Sequence, residues 1–322
     1  MKKIYVIHEN EDWVIPLRAA FKSLSLPYEE WFIDKLSLDL SEVPPEGIFY
    51  NRMSASAHTR SHRYAPEGTE NVLAWLQRHG RKVINGRRAL QLEVRKSEQY
   101  LALQEFDIKH PKTIIANDVS LLLNAVDKLN QFPFIIKPNR GGKGAGVQLF
   151  QSKESLKKTI EDAGIGESLD GIWLVQQYIQ PADGRIVRAE FVGGEFLYAV
   201  SIDSSNGFQL CPADTCNIDD AFCPVGTSAN TSKFRILEDY ENDDLEKYKQ
   251  FLKANDIGVG ALEYAQDEAG VRWVYDVNTN TNYNSKAEEL FGNEAQGMFE
   301  IASFLGRQLE ELLGKERLKN CA

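Results

Sequence analysis

Residues 135–147 read Ile-Ile-Lys-Pro-Asn-Arg-Gly-Gly-Lys-Gly-Ala-Gly-Val. Gly141, Gly142, Gly144 and Gly146 fall within one short stretch, where glycine lets the backbone come close to a ligand and its N–H groups form a concave anion site. Lys137, Arg140 and Lys143 add positive charge. Together these features suit a triphosphate, although the Gly-Lys-Ser/Thr ending of a P-loop is missing and the segment does not open a helix as GxGxxG does. The other reading is a plain surface hairpin tip.

A second group lies near residue 276. Asp276 and Asn278 are two apart in Val-Tyr-Asp-Val-Asn, so on a strand both point to one face. Glu263 sits on the preceding strand candidate, 260–265. If the two strands pair, a carboxylate, an amide oxygen and a second carboxylate converge, which suits a hard divalent cation such as Mg²⁺. The alternative is a solvated hairpin. Asn280 and Asn282 follow directly and either orient a carboxylate or form a polar turn. Near the N-terminus, Asn51 and Arg52 follow a strand, with Arg60 and Arg63 beyond. Strand ends of this kind face the ligand crevice in doubly wound sheets, and arginines there could take carboxylates bidentately or lie on a basic surface loop.

These residues must be carried by elements. Up to about residue 90, apolar runs (3–7, 47–51, 82–85) alternate with amphipathic patterns (13–24, 69–79), which predicts parallel strands joined by helices. Beyond that the pattern predicts helices over 92–106, 121–129 and 155–163, and strands at 134–138, 147–150 and 173–179. Strands at 188–192 and 195–202 flank Gly193-Gly194, a hairpin turn signal. Residues 203–233 read as a long loop. A helix over 245–255, strands at 260–265 and 273–277 and a helix over 295–313 complete the chain.

The order is a lysine opening a helix (Lys96), a strand-lysine-glycine loop, Gln176-Gln177-Tyr178-Ile179, Arg188, then two acidic strands. It resembles the ATP-grasp superfamily and, within it, the RimK-like glutamate ligases and lysine-biosynthesis carrier-protein ligases. The stretch from Val83-Ile84-Asn85-Gly86 through Lys96 to Ile108-Lys109-His110-Pro111-Lys112-Thr113 is similar to that group's entry into its central domain. The resemblance implies an α/β ATP-grasp fold in three parts: a doubly wound parallel-sheet domain (1–91), a central subdomain with a glycine-rich lid (92–179) and a C-terminal subdomain with a metal site (180–322). It implies ATP and two Mg²⁺ ions, with Mn²⁺ as a substitute. Lys96 and Lys137 then contact phosphates, and Gly141 to Gly146 form the lid. Gln176, Gln177, Tyr178 and Ile179 read adenine, Arg188 faces the transferred phosphate, and Glu263, Asp276 and Asn278 hold metal. Asn51, Arg52, Arg60, Asn280 and Asn282 become substrate candidates. Three positions depart from the group's pattern. Arg95 stands where aspartate is usual and Gln177 where glutamate is common. Ile186 replaces an acidic residue that binds ribose, leaving Asp183 to substitute.

The activity implied is ligation of a carboxylate to an amine through an acyl-phosphate. A phosphotransferase and a non-catalytic nucleotide-binding regulator are the alternatives on the same scaffold. The formal net charge of −10 argues against nucleic acid or a membrane surface as partner. It leaves small carboxylates and amines, or a carrier peptide or protein. The resemblance also implies a homo-oligomer, dimer or tetramer. The apolar run after Met1 is broken by Glu9, Glu11 and Asp12, which favours a first strand over a signal peptide, and four cysteines are too few for a disulfide scaffold. A cytoplasmic location is expected. Cys211, Cys216 and Cys223 have four and six intervening residues and no nearby histidine, so packing or a substrate-shaping loop fits better than zinc.

Overall fold

A parallel sheet begins the chain, in the strand order β2-β1-β3-β4. The computed structural model describes residues 2–142, 144–204, 233–292 and 296–320, with side chains to residue 314. Strands β1 (Lys3–His8) and β3 (Gly47–Asn51) lie centrally, between β2 (Tyr28–Phe32) and β4 (Lys82–Ile84). Both central strands are covered on two faces, which is why they read as apolar runs. The edge strand β2 carries Tyr-Glu-Glu-Trp-Phe and is not legible as such a run. Helix α1 (Glu11–Ser23) puts Val14, Leu17 and Phe21 on Ile4 and Val6. On the other face, α2 (Ala65–Arg78) puts Val72, Leu73 and Leu76 on Tyr5, Ile7 and Phe49.

The second sheet is antiparallel, β5-β8-β6-β7: β5 (Thr113–Ala116), β6 (Phe134–Pro138), β7 (Gln148–Phe150) and β8 (Trp173–Gln177). Its inner face packs Phe134, Ile136 and Val175 against α5 (Leu122–Leu129) and α6 (Lys153–Asp162). By the two-residue period, Ile135, Lys137 and Gln176 face the other way, into a cavity.

The third sheet is antiparallel in the order β11-β10-β9-β12-β13: β9 (Arg185–Val192), β10 (Glu195–Asp203), β11 (Phe234–Ile236), β12 (Val259–Gln266) and β13 (Arg272–Asn278). Gly193 and Gly194 turn β9 into β10 with φ +66° and +83°, the left-handed pair a tight hairpin needs. Ala189, Phe191, Leu262 and Val277 on one face pack with α7 (Leu245–Ala254) and with residues 89–108. Helix α8 (Ser285–Phe291) precedes α9 (Gly297–Asn320), whose Ile301, Ala302, Leu305 and Leu309 share one core with Val14, Leu17 and Val259. That helix therefore welds the first sheet to the third. No helix among the described residues is long and apolar enough to cross a membrane.

The single helix expected over 92–106 is two: α3 (Arg87–Val94) and α4 (Lys96–Gln104), broken at Arg95, whose backbone is extended. Tertiary hydrogen bonds cause the break. Asn139, at the end of β6, accepts from Lys96 N through its carbonyl (3.1 Å) and from Ser97 N through its side chain (2.9 Å). Gln99 donates to the freed carbonyl of Leu92 (2.7 Å) and also pairs with Val277 through its N–H and carbonyl. No local propensity signals this.

Asn85 follows β4 with φ +60° and is fully buried. Its amide donates to Val259 O and Thr279 O, and its oxygen accepts from the N–H groups of Gly258 and Val259. One side chain so ties the first sheet to both strands that carry the acidic residues. Asn85→Ala leaves these backbone groups unpaired and puts into the left-handed region a residue without the polar side chain that lets asparagine adopt it. It should cost roughly 2–4 kcal/mol, read as a lower denaturant midpoint at unchanged m-value.

Candidate active site

A cavity of about 390 Å³ opens where the three sheets meet. Lys96 reaches it from the start of α4, Lys137 from β6 and Arg188 from β9, while Glu263 and Asp276 come from β12 and β13. Glu263 and Asp276 are register partners across the two strands, with a bulge immediately after Glu263. Asn278 lies two residues beyond Asp276 and donates to Glu263 Oε1 at 3.1 Å. Its NH₂ group is thereby the one that faces Glu263, and its amide oxygen points elsewhere.

Each carboxylate already meets a cation. Lys96 Nζ bonds Asp276 Oδ1. Arg188 Nη1 bonds Glu263 Oε1 at 2.7 Å, its Nε bonds Glu190 Oε1 at 2.5 Å, and its Nη2 donates to Thr281 Oγ1 at 2.8 Å. Thr281 Oγ1 in turn donates a hydrogen bond to Glu190 Oε2 (2.7 Å). Burial opposes the Arg188 charge, but Glu190 and Glu263 more than offset it and hold the group fully protonated. Burial pushes the carboxyls of Glu190 and Glu263 up, with Arg188 opposing in both.

Lys137 is different. It is buried and has a neutral partner, the Tyr100 hydroxyl at 2.7 Å. Burial, then repulsion from Lys96, lowers its pKa to about 7. Such a lysine lacks a counter-anion, which a phosphate would supply.

Residues 92–209 match a family model for the RimK-like ATP-grasp domain. The ribosomal protein bS6–L-glutamate ligase of Escherichia fergusonii is 33% identical over 112 residues, which are 35% of this chain and 36% of that protein. The chain thus matches about a third of the length of its curated relatives. Over nearly the full length, the solved RimK-domain ATP-grasp protein of Sphaerobacter thermophilus superposes with a TM-score of 0.64 at 17% identity, covering 94% of this chain and 98% of that one. The ATP-grasp ligase PsnB, in complex with a minimal precursor, Mg and ADP, superposes with a TM-score of 0.63 at 15% identity, covering 95% and 97%. The chain has the ATP-grasp fold, and its residues 92–209 are similar to the RimK-like domain.

Within that ATP-grasp frame, most residues singled out in the sequence meet at the cavity: Lys96, Lys137, Gly141, Gly142, Gly144, Gln176, Gln177, Tyr178, Ile179, Arg188, Glu263, Asp276, Asn278, Asn280 and Asn282. Gly146 instead packs on Pro138 with φ +75°. Lys143, Cys211, Cys216 and Cys223 lie outside the described residues, as does most of the loop expected at 203–233. Among the described residues no cluster of three or more His, Cys, Asp or Glu could hold a metal; the set here is two carboxylates and an amide.

Several expectations change. Asn51 does not reach the cavity, because it bonds Asn85 O and Met53 N. Arg52 is buried and spends its donors on Trp13 O, Met298 Sδ, Asn280 Oδ1, Thr281 O and Asn282 Oδ1. Arg60 pairs with Glu9 at 2.5 Å and lies over the Trp13 ring, one layer behind the wall. Asp183 accepts from Arg185 N in the turn before β9, and Ile186 lines the cavity in its place. Arg140 turns outward from the glycine loop to Glu67 (2.5 Å) and Arg63 O, so it holds the base of that loop to α2. The N–H groups of Gln177 and Tyr178 donate to Lys112 O and Pro133 O.

Two buried carboxylates escaped the sequence reading. Glu190 shares a strand face with Arg188, two residues away, and that spacing was legible. Glu93, on α3, accepts from Ala55 N (3.1 Å), Thr279 N (2.8 Å) and Thr279 Oγ1 (3.1 Å). It joins the loop after β3 to the loop after β13, and nothing local marks it.

Lys137 yields a prediction with a definite sign. Without a bound anion Lys137 is protonated below about pH 7 and increasingly neutral above it. A polyanion beside it raises its pKa again, so binding takes up a proton. Affinity for magnesium-free tripolyphosphate should fall as pH rises above 7, by at most about tenfold per pH unit. Calorimetric titration in buffers of different ionisation enthalpy reads that proton uptake directly, and Lys137→Met should abolish it.

Proposed function

We propose that this chain is an ATP- and Mg²⁺-dependent carboxylate–amine ligase that works through an acyl-phosphate. The observation that supports this reading is the convergence of Lys96, Lys137, Arg188, Glu263, Asp276 and Asn278, from elements far apart in sequence, on one cavity. The divisions 1–91, 92–179 and 180–322 enter the reading as its three working units.

The residues fit the groups they would hold. At one end the wall is largely apolar, with Ile135, Leu149, Ile186 and Ala265 beside the polar hinge of Gln176 and Gln177, as suits a purine base. At the other, Glu263, Asp276 and Asn278 offer two carboxylates and an amide oxygen, and bound Mg²⁺ would neutralise charge between the phosphates. Lys96 and Arg188 now neutralise those two carboxylates. A divalent cation bound there would take over that task, which would leave Lys96 to turn toward phosphate oxygens while Glu190 and Thr281 keep Arg188 in place.

The chemistry then balances simply. A carboxylate oxygen attacks the terminal phosphorus, the bond to the bridging oxygen breaks, and ADP leaves. An amine nitrogen attacks the resulting acyl carbon, phosphate leaves with the bonding pair, and the amine loses a proton. Arg188, held from three sides, stabilises negative charge on the transferred group without having to reorganise. The glycine loop keeps water from the anhydride; Gly142 lies close enough to Ser56 that an added Cβ would meet its side chain at 3.0 Å.

The amine is carried by an amino acid or a peptide in this reading. The name of the bS6–glutamate ligase and the precursor bound to PsnB support both forms. Purified protein with ATP, Mg²⁺, pooled carboxylates and hydroxylamine should form ADP and a hydroxamate. AMP with pyrophosphate would reject the reading, and ADP with a stable phosphorylated product would make the protein a kinase. Asp276→Ala should lower ADP formation by roughly 10²–10³-fold with an unchanged far-UV circular dichroism spectrum. Wild-type turnover in that variant would remove the metal assignment.

A further inference from the structure

Residues 278–282 read Asn-Thr-Asn-Thr-Asn, and the alternation survives past the end of β13. Asn278, Asn280 and Asn282 face the cavity. Thr279 and Thr281 point back, to the buried carboxylates Glu93 and Glu190. The three amides do not present the same atom. Asn278 donates its NH₂ to Glu263, which leaves its oxygen for a cation. Asn280 and Asn282 are set the opposite way by Arg52, whose Nε lies 3.2 Å from Asn280 Oδ1 and Nη2 2.8 Å from Asn282 Oδ1.

A guanidinium only donates, so the amide atom facing it in each case must be oxygen, and the NH₂ group must turn away. In Asn280, which is 92% buried, the nitrogen has no hydrogen-bond partner among the described residues. A buried donor without an acceptor carries a desolvation cost that a bound acceptor would remove. Arg52 itself cannot supply the ligand contact. Its five N–H bonds are all engaged, its guanidinium is buried, and its other acceptors are main-chain carbonyls and the Met298 sulfur.

We propose that Asn280 and Asn282 form a neutral N–H donor pair for the substrate carboxylate, and that Arg52 is the positioning residue that fixes their polarity. The row then changes sign along its length. It presents an oxygen to a cation at Asn278 and N–H groups to an anion at Asn280 and Asn282, beside Arg188. A carboxylate lying on that step has its oxygens held by uncharged donors. This matters for chemistry, since a full positive charge there would make the attacking oxygen a weaker nucleophile. The inference rests on the ligase reading for the identity of the anion as an acyl donor, but the donor pair is tested without turnover.

The test uses the whole chain, ¹⁵N-labelled in its asparagine side chains, with acetate, L-glutamate and succinate as probes. The NH₂ resonances of Asn280 and Asn282, identified by their loss in Asn280→Asp and Asn282→Asp, should move as carboxylate is added and stay still with methylammonium. Asn280→Asp keeps an oxygen on Arg52, and charges it, while removing the donor. Carboxylate affinity should therefore fall on the order of tenfold while the thermal midpoint stays equal to wild type or rises. A merely structural asparagine would change the midpoint and not the affinity. Arg52→Lys, which cannot span both oxygens, should weaken the same probes and leave tripolyphosphate affinity within about twofold of wild type. If no probe moves either resonance, or if Asn280→Asp binds carboxylate as wild type does, the proposal is overturned. Carboxylate binding here without a hydroxamate in the turnover assay would keep the subsite and remove the ligase.

Discussion

The constraint on which the rest depends is charge buried between sheets. Arg188 sits among Glu190, Glu263 and Thr281, with all of these groups buried. Taking one guanidinium and two carboxylates out of water costs several kcal/mol per ion before their mutual attraction is counted. Such a cluster is weak evidence of stability. It is strong evidence of position, because each of these buried groups is paired with a specific neighbour. The sheet registers, the loop after β13 and the turn at Asn85 all serve that arrangement.

The same logic runs outward. Glu190 fixes Thr281 and Glu93 fixes Thr279, so two acidic side chains clamp the backbone of 279–281 from behind. With the threonines held inward, the asparagines must face the cavity. Arg52 reaches across from the first sheet and decides which atom of Asn280 and Asn282 is shown. The N-terminal sheet contributes to the site by orienting groups that belong to the third sheet, and helix α9, packed into the core common to both, keeps the two from shifting.

The second sheet is anchored to α4 through Asn139 and Lys137, but its rim is attached more lightly. Its glycine-rich loop meets the first sheet's loop at Gly142 and Ser56, and Arg140–Glu67 and Arg63–Glu167 join the two regions at or near the surface. The exposed Arg63–Glu167 pair contributes at most about 1 kcal/mol, and Glu67 of the other pair is half-exposed. Weak polar contacts at this rim would suit a loop that opens and closes better than a continuous apolar seam would.

Much of this was legible in the order of residues. Apolar runs marked the central strands, Gly193-Gly194 marked a hairpin, and the two-residue spacing of Asp276 and Asn278 placed them on one face, because strand and turn preferences are local. The edge strand β2, the break at Arg95 and the inward turn of Arg52 were not legible. Each is decided by a partner distant in the chain: a neighbouring strand, Asn139, and the 280–282 loop. Sequence alone determined which residue types were available for phosphate, metal and carboxylate. Tertiary structure decided which of the arginines faces the cavity and which atom each asparagine presents. A donor-only or acceptor-only neighbour settles an amide's orientation, and that neighbour is known only once the chain is folded.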